Sequence, residues 1–442
     1  PGVWSMIPDT IFVNVKELLE DGISLGGKYL DVSRIPASRQ LGELTNSLSI
    51  LISLLSKEAS QEIVLDGLTT LFTKHSKSLP ELEEKLTSAF ATASTTSKYS
   101  KASTTVSIRL QLGTDSKIIN SIINAYKHYT KMTPIPKIGL IIDQDKGKIT
   151  DVSESISEII SLGGKVMFAK GQKSSNGITN GSIKNEGPLS ITLQSVSINL
   201  PRLAFESNKD ETYFRARLAL LMKPALDAMA LRKKDISDIT RRGLNPILAR
   251  NTQYMQKSSV SLVVNLVGLK EAVFNILGFK DNRDGRAILH KVIETAVDVG
   301  SKKGKELGET VVISMTKTEG SARFVLLDNQ KYGKNSALNS MDTDVYSEGM
   351  SINASEISDY TSKSDIITEC NKFSKLLNGG LLVTLDIDKN AKIDEIKKSI
   401  EATSTLTSSF KLARKIAICG ECGFKDEPFE DKCPKCKSPY II

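Results

Sequence analysis

Ile138-Gly-Leu-Ile-Ile142 and Val166-Met-Phe-Ala169 are two short apolar runs, and a segment with helical spacing, residues 152–162, lies between them. That helical segment ends at Gly163-Gly164, a common way to stop a helix before the next strand. The order strand, helix, strand is typical of a largely parallel sheet covered by helices. This stretch therefore predicts an α/β fold.

The same alternation extends outward along the chain. Upstream, residues 106–112 alternate apolar and polar side chains like a half-buried strand, and residues 118–129 have helical spacing. Residues 40–95 are expected to be helical throughout, Val64 included. Downstream, strands are predicted at residues 196–199, 260–264, 311–315, 324–327 and 381–387, and helices at residues 210–233, from 269, and at 393–402.

Composition places the chain among ordinary globular proteins. It has 442 residues, of which 40 % are hydrophobic and 25 % charged, enough for one very large domain or two to three smaller ones. No apolar run reaches the ~18 residues of a membrane span, and residues 1–6 lack the features of a signal peptide. These features lead us to expect a cytoplasmic protein that does not bind a membrane.

The chain is basic, with a net charge of +8, which permits binding to nucleic acid. Only 5 % of its residues are aromatic, which leaves few rings for stacking on bases. The densest basic group is a candidate contact for RNA or another anion, and the alternative is a solvated helix face. This group consists of Arg232, Lys233, Lys234, Arg241 and Arg242.

Four of the five cysteines lie close to the end of the sequence, as Cys419-Gly-Glu-Cys422 and Cys433-Pro-Lys-Cys436. Two C-x2-C pairs at this separation are typical of a zinc ribbon, in which four thiolates bind one ion. Because a site with four protein ligands has no open position, we expect the zinc to be structural. Two disulfides are the weaker alternative in a large chain without a signal peptide.

Several segments, in the same order, resemble the anaerobic (class III) ribonucleoside-triphosphate reductases, particularly archaeal-type versions. The sharpest is Ser195-Val-Ser-Ile-Asn-Leu-Pro-Arg-Leu-Ala-Phe-Glu206. The other matching segments are Thr133-Pro-Ile-Pro136, Asn265-Leu-Val-Gly-Leu-Lys-Glu-Ala272, Ala322-Arg-Phe324 at the end of a strand near Asp328, Asn378-Gly-Gly380 and the four-cysteine ribbon.

The resemblance implies a ten-stranded α/β barrel of the glycyl-radical enzyme type, made of two antiparallel halves of parallel strands. It divides the chain into an N-terminal helical part of the barrel domain at 1–105, the barrel at 106–412 and the ribbon at 413–442. A finger loop at residues 171–190 would thread the barrel. In the family that loop carries a cysteine, and the matching position here is Gln172, with Thr192 near a position that is usually asparagine.

The family begins ribose reduction with a thiyl radical, which a glycyl radical in a C-terminal loop generates. Residues 1–369 contain no cysteine, and a glutamine amide has no weak bond to hydrogen comparable to S–H. Only six residues follow Cys436, so we also expect the radical loop to be absent. Cys370 is expected to be a small core side chain within a helix at 365–377. The sequence thus predicts no catalytic residue.

The reading we favour is a ribonucleotide reductase-like pseudoenzyme that acts as a binding, regulatory or self-assembling protein. One alternative is an RNA- or ribosome-associated factor, and another is a reductase chain completed by a separate glycyl-radical subunit. Candidate partners are a second copy of the chain, RNA, a true reductase or a nucleotide. Self-association would use the helix at 210–233, where Phe214, Leu218 and Leu221 form one apolar stripe and Leu220, Ala225 and Met229 extend another.

Overall fold

The structure is a computed structural model. It describes residues 7–27, 30–99, 104–170, 189–243, 245, 247, 260–277, 283–318, 320–333, 344–353, 370–407, 409–425, 429 and 431–442.

Strands and helices alternate along most of the described chain. The strands are β1 (Thr10–Asn14), β2 (Ile23–Gly27), β3 (Leu30–Ile35), β4 (Glu62–Asp66), β5 (Thr105–Gln111), β6 (Ile138–Asp143), β7 (Lys165–Ala169), β8 (Leu189–Asn199), β9 (Val260–Val267), β10 (Val311–Ser314), β11 (Met350–Asn353), β12 (Val383–Ile387) and β13 (Ser409–Arg414). The helices are α1 (Val15–Asp21), α2 (Leu41–Leu55), α3 (Leu68–His75), α4 (Leu79–Tyr99), α5 (Ser116–Met132), α6 (Ser153–Ser161), α7 (Leu200–Glu206), α8 (Glu211–Arg241), α9 (Leu269–Leu277), α10 (Arg283–Leu307), α11 (Gly320–Tyr332) and α12 (Ile393–Ser404).

Two groups of parallel strands form the main sheet. β1, β4, β5, β6 and β7 lie side by side and are all parallel. The second group contains β8, β9 and β10 together with β11, β12 and β13. β8 is antiparallel to β1 and β13 is antiparallel to β7, so the two groups run in opposite directions. We call them the first and second half-barrels.

The sheet closes on itself between β10 and β12. Leu382 N donates to Met315 O at 2.9 Å, and Met350 N donates to Leu382 O at 3.0 Å. In a parallel sheet, the N–H and C=O of one residue point to the same side of its strand. Leu382 therefore contacts the end of β10 and the start of β11 on one side of β12, and these two strands share a single position in the barrel. The eleven strands of the sheet therefore fill ten positions. The predicted ten-stranded barrel with two antiparallel halves is confirmed.

Alternating side chains separate the inside of the barrel from the helical layer. In β6, Ile138, Leu140 and Ile142 join the main apolar core beneath the helices. Ile141 instead joins a smaller cluster with Phe12, Val64 and Ala169 inside the barrel. Because strand side chains point alternately to the two faces, polar residues in register with Ile141 also point inward.

Three expectations from the sequence need correction. Val64 lies in β4 rather than in a helix. The sequence did not distinguish the two, because a fully buried strand and a buried helix have the same apolar content over a short window. Residues 324–327 belong to α11, in which Val325 packs against Val267 of β9 while Leu326 and Leu327 are exposed; a short apolar run does not distinguish a helix from a strand. The first 105 residues are more than a helical part, since they supply barrel strands β1 and β4.

The long helix α8 runs without interruption through Pro224 and continues to Arg241, beyond the predicted end at residue 233. The helix begins at Asp210, whose side chain accepts a hydrogen bond from the backbone N–H of Tyr213. Among the helices that the structure describes, none is long and apolar enough to cross a membrane.

Candidate functional site

The four clustered cysteines converge at one point. The Sγ atoms of Cys419, Cys422, Cys433 and Cys436 all lie within 4.8 Å of one another. Cys419 and Cys436 are 3.5 Å apart, and Cys422 and Cys433 are 3.6 Å apart. A tetrahedral ion with metal–sulfur bonds near 2.3 Å needs sulfurs about 3.8 Å apart. The cluster therefore fits a single metal ion.

Each cysteine pair sits on a tight turn of the same kind. Gly423 and Lys437, the residues that follow the two pairs, both have positive φ angles, +70° and +62°. Their N–H groups donate at 2.9 Å to the carbonyls of Cys419 and Cys433, respectively. This geometry turns both thiols of a pair towards the same side. A hydrogen bond from the backbone N–H of Cys422 lowers the pKa of Cys419 to about 6, which favours the metal-binding thiolate.

The ribbon is fixed to the barrel by a buried lysine. Lys425 is 3 % exposed, and its ammonium donates to the carbonyls of Thr133 and Pro134 at 2.7 and 3.1 Å. Gly423 lies so close to Pro134 that an added Cβ would be 2.6 Å from the proline ring. The Thr133-Pro-Ile-Pro136 segment thus forms the seat of the ribbon, between α5 and the start of β6.

A layer of charged side chains lines the barrel at the end where the first half-barrel begins. Glu62 starts β4 and accepts a hydrogen bond from Ser107 at 2.5 Å. Lys165 starts β7, and Lys411 on β13 pairs in register with Met167, which belongs to the inner cluster. Lys317 follows β10 and interacts electrostatically with Glu62, Lys165 and Lys411. We call these four residues the inner charged layer.

Burial shifts the proton affinities of this layer. It raises the pKa of Glu62, although the hydrogen bond from Ser107 and the charges of Lys317 and Lys165 oppose the change. It lowers the pKa of Lys165, and the charge of Lys317 lowers it further, but both lysine side chains are exposed, so water screens these effects. Burial also lowers the pKa of Lys411, against the charge of Glu348. Neighbouring groups whose pKa values shift in opposite directions are typical of a ligand-binding or reactive site.

The segment that carries Lys317 is held in place by side chains. Asn265 accepts the N–H of Thr316 at 2.9 Å and donates to its carbonyl at 3.1 Å. Glu348 accepts the N–H of Thr318 at 3.2 Å and the hydroxyl of Ser321 at 2.7 Å. These bonds position Lys317 at the mouth of the barrel. The sequence analysis had identified Asn265 only through the resemblance. It had not identified the four residues of the inner charged layer, because a charge that faces into a barrel cannot be told from a surface charge in an alternating strand.

A buried hydroxyl lies beside this layer. Thr10 is fully buried, is in register with Thr192 across β1 and β8, and is next to Glu62 across β1 and β4. Within the described part of the chain, its Oγ1 has no hydrogen-bond partner. Buried polar atoms are nearly always satisfied by protein or by a bound molecule. The interior of the barrel therefore offers an acceptor or donor to a ligand.

The opposite end of the barrel is occupied by an ion-pair cluster. Arg109 on β5 is 6 % exposed and lies between the carboxylates of Asp66 and Asp143. Its Nη1 is 3.0 Å from Asp66 Oδ2, and its Nε is 3.2 Å from Asp143 Oδ2. Asp66 and Asp143 end β4 and β6, and Arg109 lies two residues before the end of β5, so the cluster joins the ends of three adjacent strands of the first half-barrel.

The segment that joins the two half-barrels starts and ends at this end of the barrel, since Ala169 ends β7 and Leu189 begins β8. Gln172, the position that matches the family cysteine, lies outside the described residues. Thr192 is fully buried within β8. Cys370 is 2 % exposed and belongs to the main core outside the barrel, with its Sγ 3.6 Å from Met350 Sδ. It is a core residue, as predicted.

The basic group and the ribbon contact different segments of the barrel. Lys233 pairs with Glu309, just before β10, and Arg232 donates to the carbonyl of Ile7, just before β1, at 3.4 Å. The ribbon packs beyond the end of β13, where Gly163 contacts Ile416. The structure also gives Arg241 a partner, Asp238, at 3.5 Å.

The two faces of α8 differ from the predicted stripes. Phe214, Leu218 and Met229 are buried against the barrel. Leu221 is 45 % exposed and Leu220 is 69 % exposed. The helix therefore leaves a solvent-facing apolar surface, which continues to Tyr213 and Leu231, at 49 % and 69 % exposure.

Comparison with known proteins identifies the family. The sequence profile described as anaerobic ribonucleoside-triphosphate reductase matches residues 127–441, well over half of the chain. The anaerobic ribonucleotide reductase from Thermotoga maritima, in complex with dATP and CTP, is similar in fold, with a TM-score of 0.71 at 15 % identity over 100 % of this chain and 80 % of that one. A second anaerobic ribonucleotide reductase gives a TM-score of 0.71 at 14 % identity, over 100 % and 75 % of the two chains.

A more distant similarity is to the B12-independent glycerol dehydratase from Clostridium butyricum, with a TM-score of 0.56 at 10 % identity over 86 % of this chain and 62 % of that one. No functionally curated protein shows significant sequence similarity to the chain. The ordered segments, the ten-position barrel, the four-cysteine cluster and the profile match agree, and the chain belongs to the anaerobic ribonucleoside-triphosphate reductase family.

Proposed function

We propose that this protein is a ribonucleotide reductase-like barrel without radical catalysis, which binds a nucleotide or a related phosphate-bearing ligand inside the barrel. The main support for the loss of catalysis is the absence of cysteine from residues 1–369, which include the segment between β7 and β8. The remaining strands, β12 and β13, also lack cysteine, and Cys370 faces the outer core. No thiol is therefore available in the barrel to become the thiyl radical.

The barrel interior nevertheless has charged and polar side chains that support ligand binding. The inner charged layer places three lysines opposite Glu62, and the hydroxyl of Thr10 supplies a further polar group. Lysine ammonium groups are common partners of phosphate oxygens. The similar enzyme from Thermotoga maritima was observed with dATP and CTP, and nucleotide binding is proposed for this chain by analogy with that fold.

The ribbon is proposed to bind one zinc ion through Cys419, Cys422, Cys433 and Cys436. All four ligand positions are protein thiolates, so zinc would supply structural stability rather than chemistry. The remaining parts of the proposal are cytoplasmic location and self-association through α8. The RNA-associated alternative is less favoured, because only 5 % of the residues are aromatic, which leaves few rings for stacking on bases.

Two measurements on the full chain test the proposal. Incubation with each ribonucleoside triphosphate, reductant and a radical-SAM activating enzyme should yield no deoxynucleotide, and turnover above background would refute the loss of catalysis. Isothermal titration with the same nucleotides should show binding that Lys317→Ala weakens several-fold. Lys223→Ala, which removes an exposed lysine from α8, should leave that affinity unchanged. If no nucleotide binds at millimolar concentration, the binding role is wrong.

A further inference from the structure

Glu348 places a carboxylate at the edge of the inner charged layer. Its Oε1 accepts the N–H of Thr318 at 3.2 Å and the hydroxyl of Ser321 at 2.7 Å. Its Oε2 lies 3.9 Å from Nζ of Lys411, and the side chains of Glu348 and Lys411 are 17 % and 23 % exposed. The carboxylate therefore lies between Lys411 on β13 and the segment after β10 that carries Lys317.

The residues on either side of Glu348 hold this carboxylate in place. Ser347 donates its N–H and its hydroxyl to Glu271 at 2.9 and 2.6 Å. Gly349 has a φ of +67°, and an added Cβ there would collide with the carbonyl oxygen of Leu382. Because both neighbours of Glu348 are fixed, its carboxylate is a constant part of this end of the barrel.

The contacts of Glu348 are those that a phosphate oxygen would use. A backbone N–H, a serine hydroxyl and a lysine ammonium are common partners of phosphate groups. Here the N–H of Thr318, the hydroxyl of Ser321 and the ammonium of Lys411 all lie against the carboxylate. An anion of the protein itself therefore takes this position beside the inner charged layer.

Positive and negative charges around the layer are also nearly balanced. Lys137 acts electrostatically on Lys165 and adds a fourth ammonium group to the three of the layer. Glu348 and Asp386 act on Lys411 and add two carboxylates to the one in the layer. Among these described side chains, four ammonium groups therefore face three carboxylates. A phosphate monoester carries a charge of about −1.5 to −2 at neutral pH. A triphosphate chain carries more, so the small net positive charge matches the monoester better.

We propose that Glu348 makes the interior of the barrel selective for a nucleotide with one phosphate group over a nucleotide with a triphosphate chain. The single phosphate binds to Lys317 and Lys165. The carboxylate of Glu348 repels the further phosphates of a longer chain, which is discrimination by like charge. This inference rests on the proposed nucleotide binding inside the barrel and specifies the class of nucleotide.

Isothermal titration of the full chain with adenosine monophosphate and adenosine triphosphate, in buffer without divalent cations, tests the proposal. The unchanged protein should bind the monophosphate more tightly. Glu348→Gln keeps an acceptor for Thr318 and Ser321 but removes the charge. It should raise the affinity for the triphosphate about fivefold, the scale of one partly exposed charge pair, and change the affinity for the monophosphate less. Glu294→Gln replaces an exposed glutamate on α10 and is the matched control, which should leave both affinities unchanged.

Three results would overturn the selectivity. The first is tighter binding of the triphosphate by the unchanged protein, which would leave nucleotide binding itself intact and does not depend on the folding of any variant. The second is unchanged or weaker triphosphate binding by Glu348→Gln, since the carboxylate would then position the Lys317 segment rather than exclude phosphates. The third is no binding of either nucleotide to either protein, which would refute the proposed binding role as well.

Discussion

Asn199 Nδ2 donates to Asp328 Oδ2 at 2.8 Å, which ties the end of β8 to the middle of α11. The same asparagine accepts the N–H of Arg202 through its Oδ1 at 3.1 Å and so caps α7. Arg202 returns to Asp328, with its Nε 2.5 Å from Oδ1. The Asn-Leu-Pro-Arg segment therefore joins a barrel strand to two helices. These hydrogen bonds stabilise the packing of the barrel and involve no cysteine.

Asp328 is fully buried, and Tyr346 donates a third hydrogen bond to it at 2.8 Å. Burial raises the pKa of Tyr346, and the hydrogen bond to Asp328 raises it further, so the phenol remains a donor. The carboxylate thus links three segments that are distant in sequence. The Asn-Leu-Pro-Arg segment therefore has a structural role in packing the barrel against its helices.

We expect Asp328→Asn to lower the free energy of unfolding by about 2–3 kcal/mol, because Arg202 loses a buried partner but still reaches solvent. Urea unfolding monitored by circular dichroism measures the change. Asp238→Asn, which breaks the exposed pair with Arg241, is the control and should change stability by less than about 0.5 kcal/mol. Equal effects of the two substitutions would contradict a structural role for Asp328.

Cys422→Ser should abolish metal binding and unfold the ribbon, because structural zinc contributes on the order of 10 kcal/mol to the folding of small zinc domains. Elemental analysis should give one zinc per chain for the unchanged protein and none for the variant. Hydrogen exchange should increase after β13 and remain slow in β4, β5 and β6, which have their own core. Cys370→Ala, outside the cluster, should retain the zinc. Metal-free protein with a protected ribbon would refute a structural zinc site.

Lys165→Gln should stabilise the protein only slightly at neutral pH, because water screens this exposed side chain, while weakening any anion binding in the barrel. The pKa of Lys165 is lowered by burial and by Lys317, so the charged side chain is less favourable in the folded state. Between that lowered pKa and the ordinary value of 10.5, the unfolded chain binds more protons, and stability rises with pH. The advantage of the variant should therefore be largest below this interval and vanish as pH approaches 10.5.

Thermal unfolding across neutral and alkaline pH checks this prediction. Lys223→Gln on α8 provides the comparison and should show no such pH-dependent difference. A destabilised Lys165→Gln protein at neutral pH would mean that the lysine forms a favourable structural contact instead.

Self-association should be sensitive to Leu221→Lys, because this side chain and Leu220 form the exposed apolar surface of α8. Light scattering at micromolar concentration should show an oligomer for the unchanged chain and a smaller species for the variant. Leu326→Lys changes an exposed leucine on α11 and should leave the mass unchanged. A monomer in every case would exclude the homo-oligomer.

Local sequence patterns were reliable where short-range physics decides the outcome. The cysteine spacing predicted the cluster because the two turns, with Gly423 and Lys437 at positive φ, are set within a few residues. The β6–α6–β7 order followed from apolar periodicity, which covalent geometry fixes. The absence of cysteine before Cys370 is a fact of the sequence alone.

Other features depend on contacts between distant segments, and only the tertiary structure decided them. Val64 lies in a strand because β4 is enclosed between β1 and β5, a constraint that its neighbours in sequence do not carry. The sequence did not distinguish Lys165 and Lys411 from isolated surface charges, and closure of the barrel brought both beside Lys317. The hydrogen bonds from Lys425 to the carbonyls of Thr133 and Pro134 likewise form only where the ribbon packs on the barrel, because the segments that make them meet in space rather than in sequence.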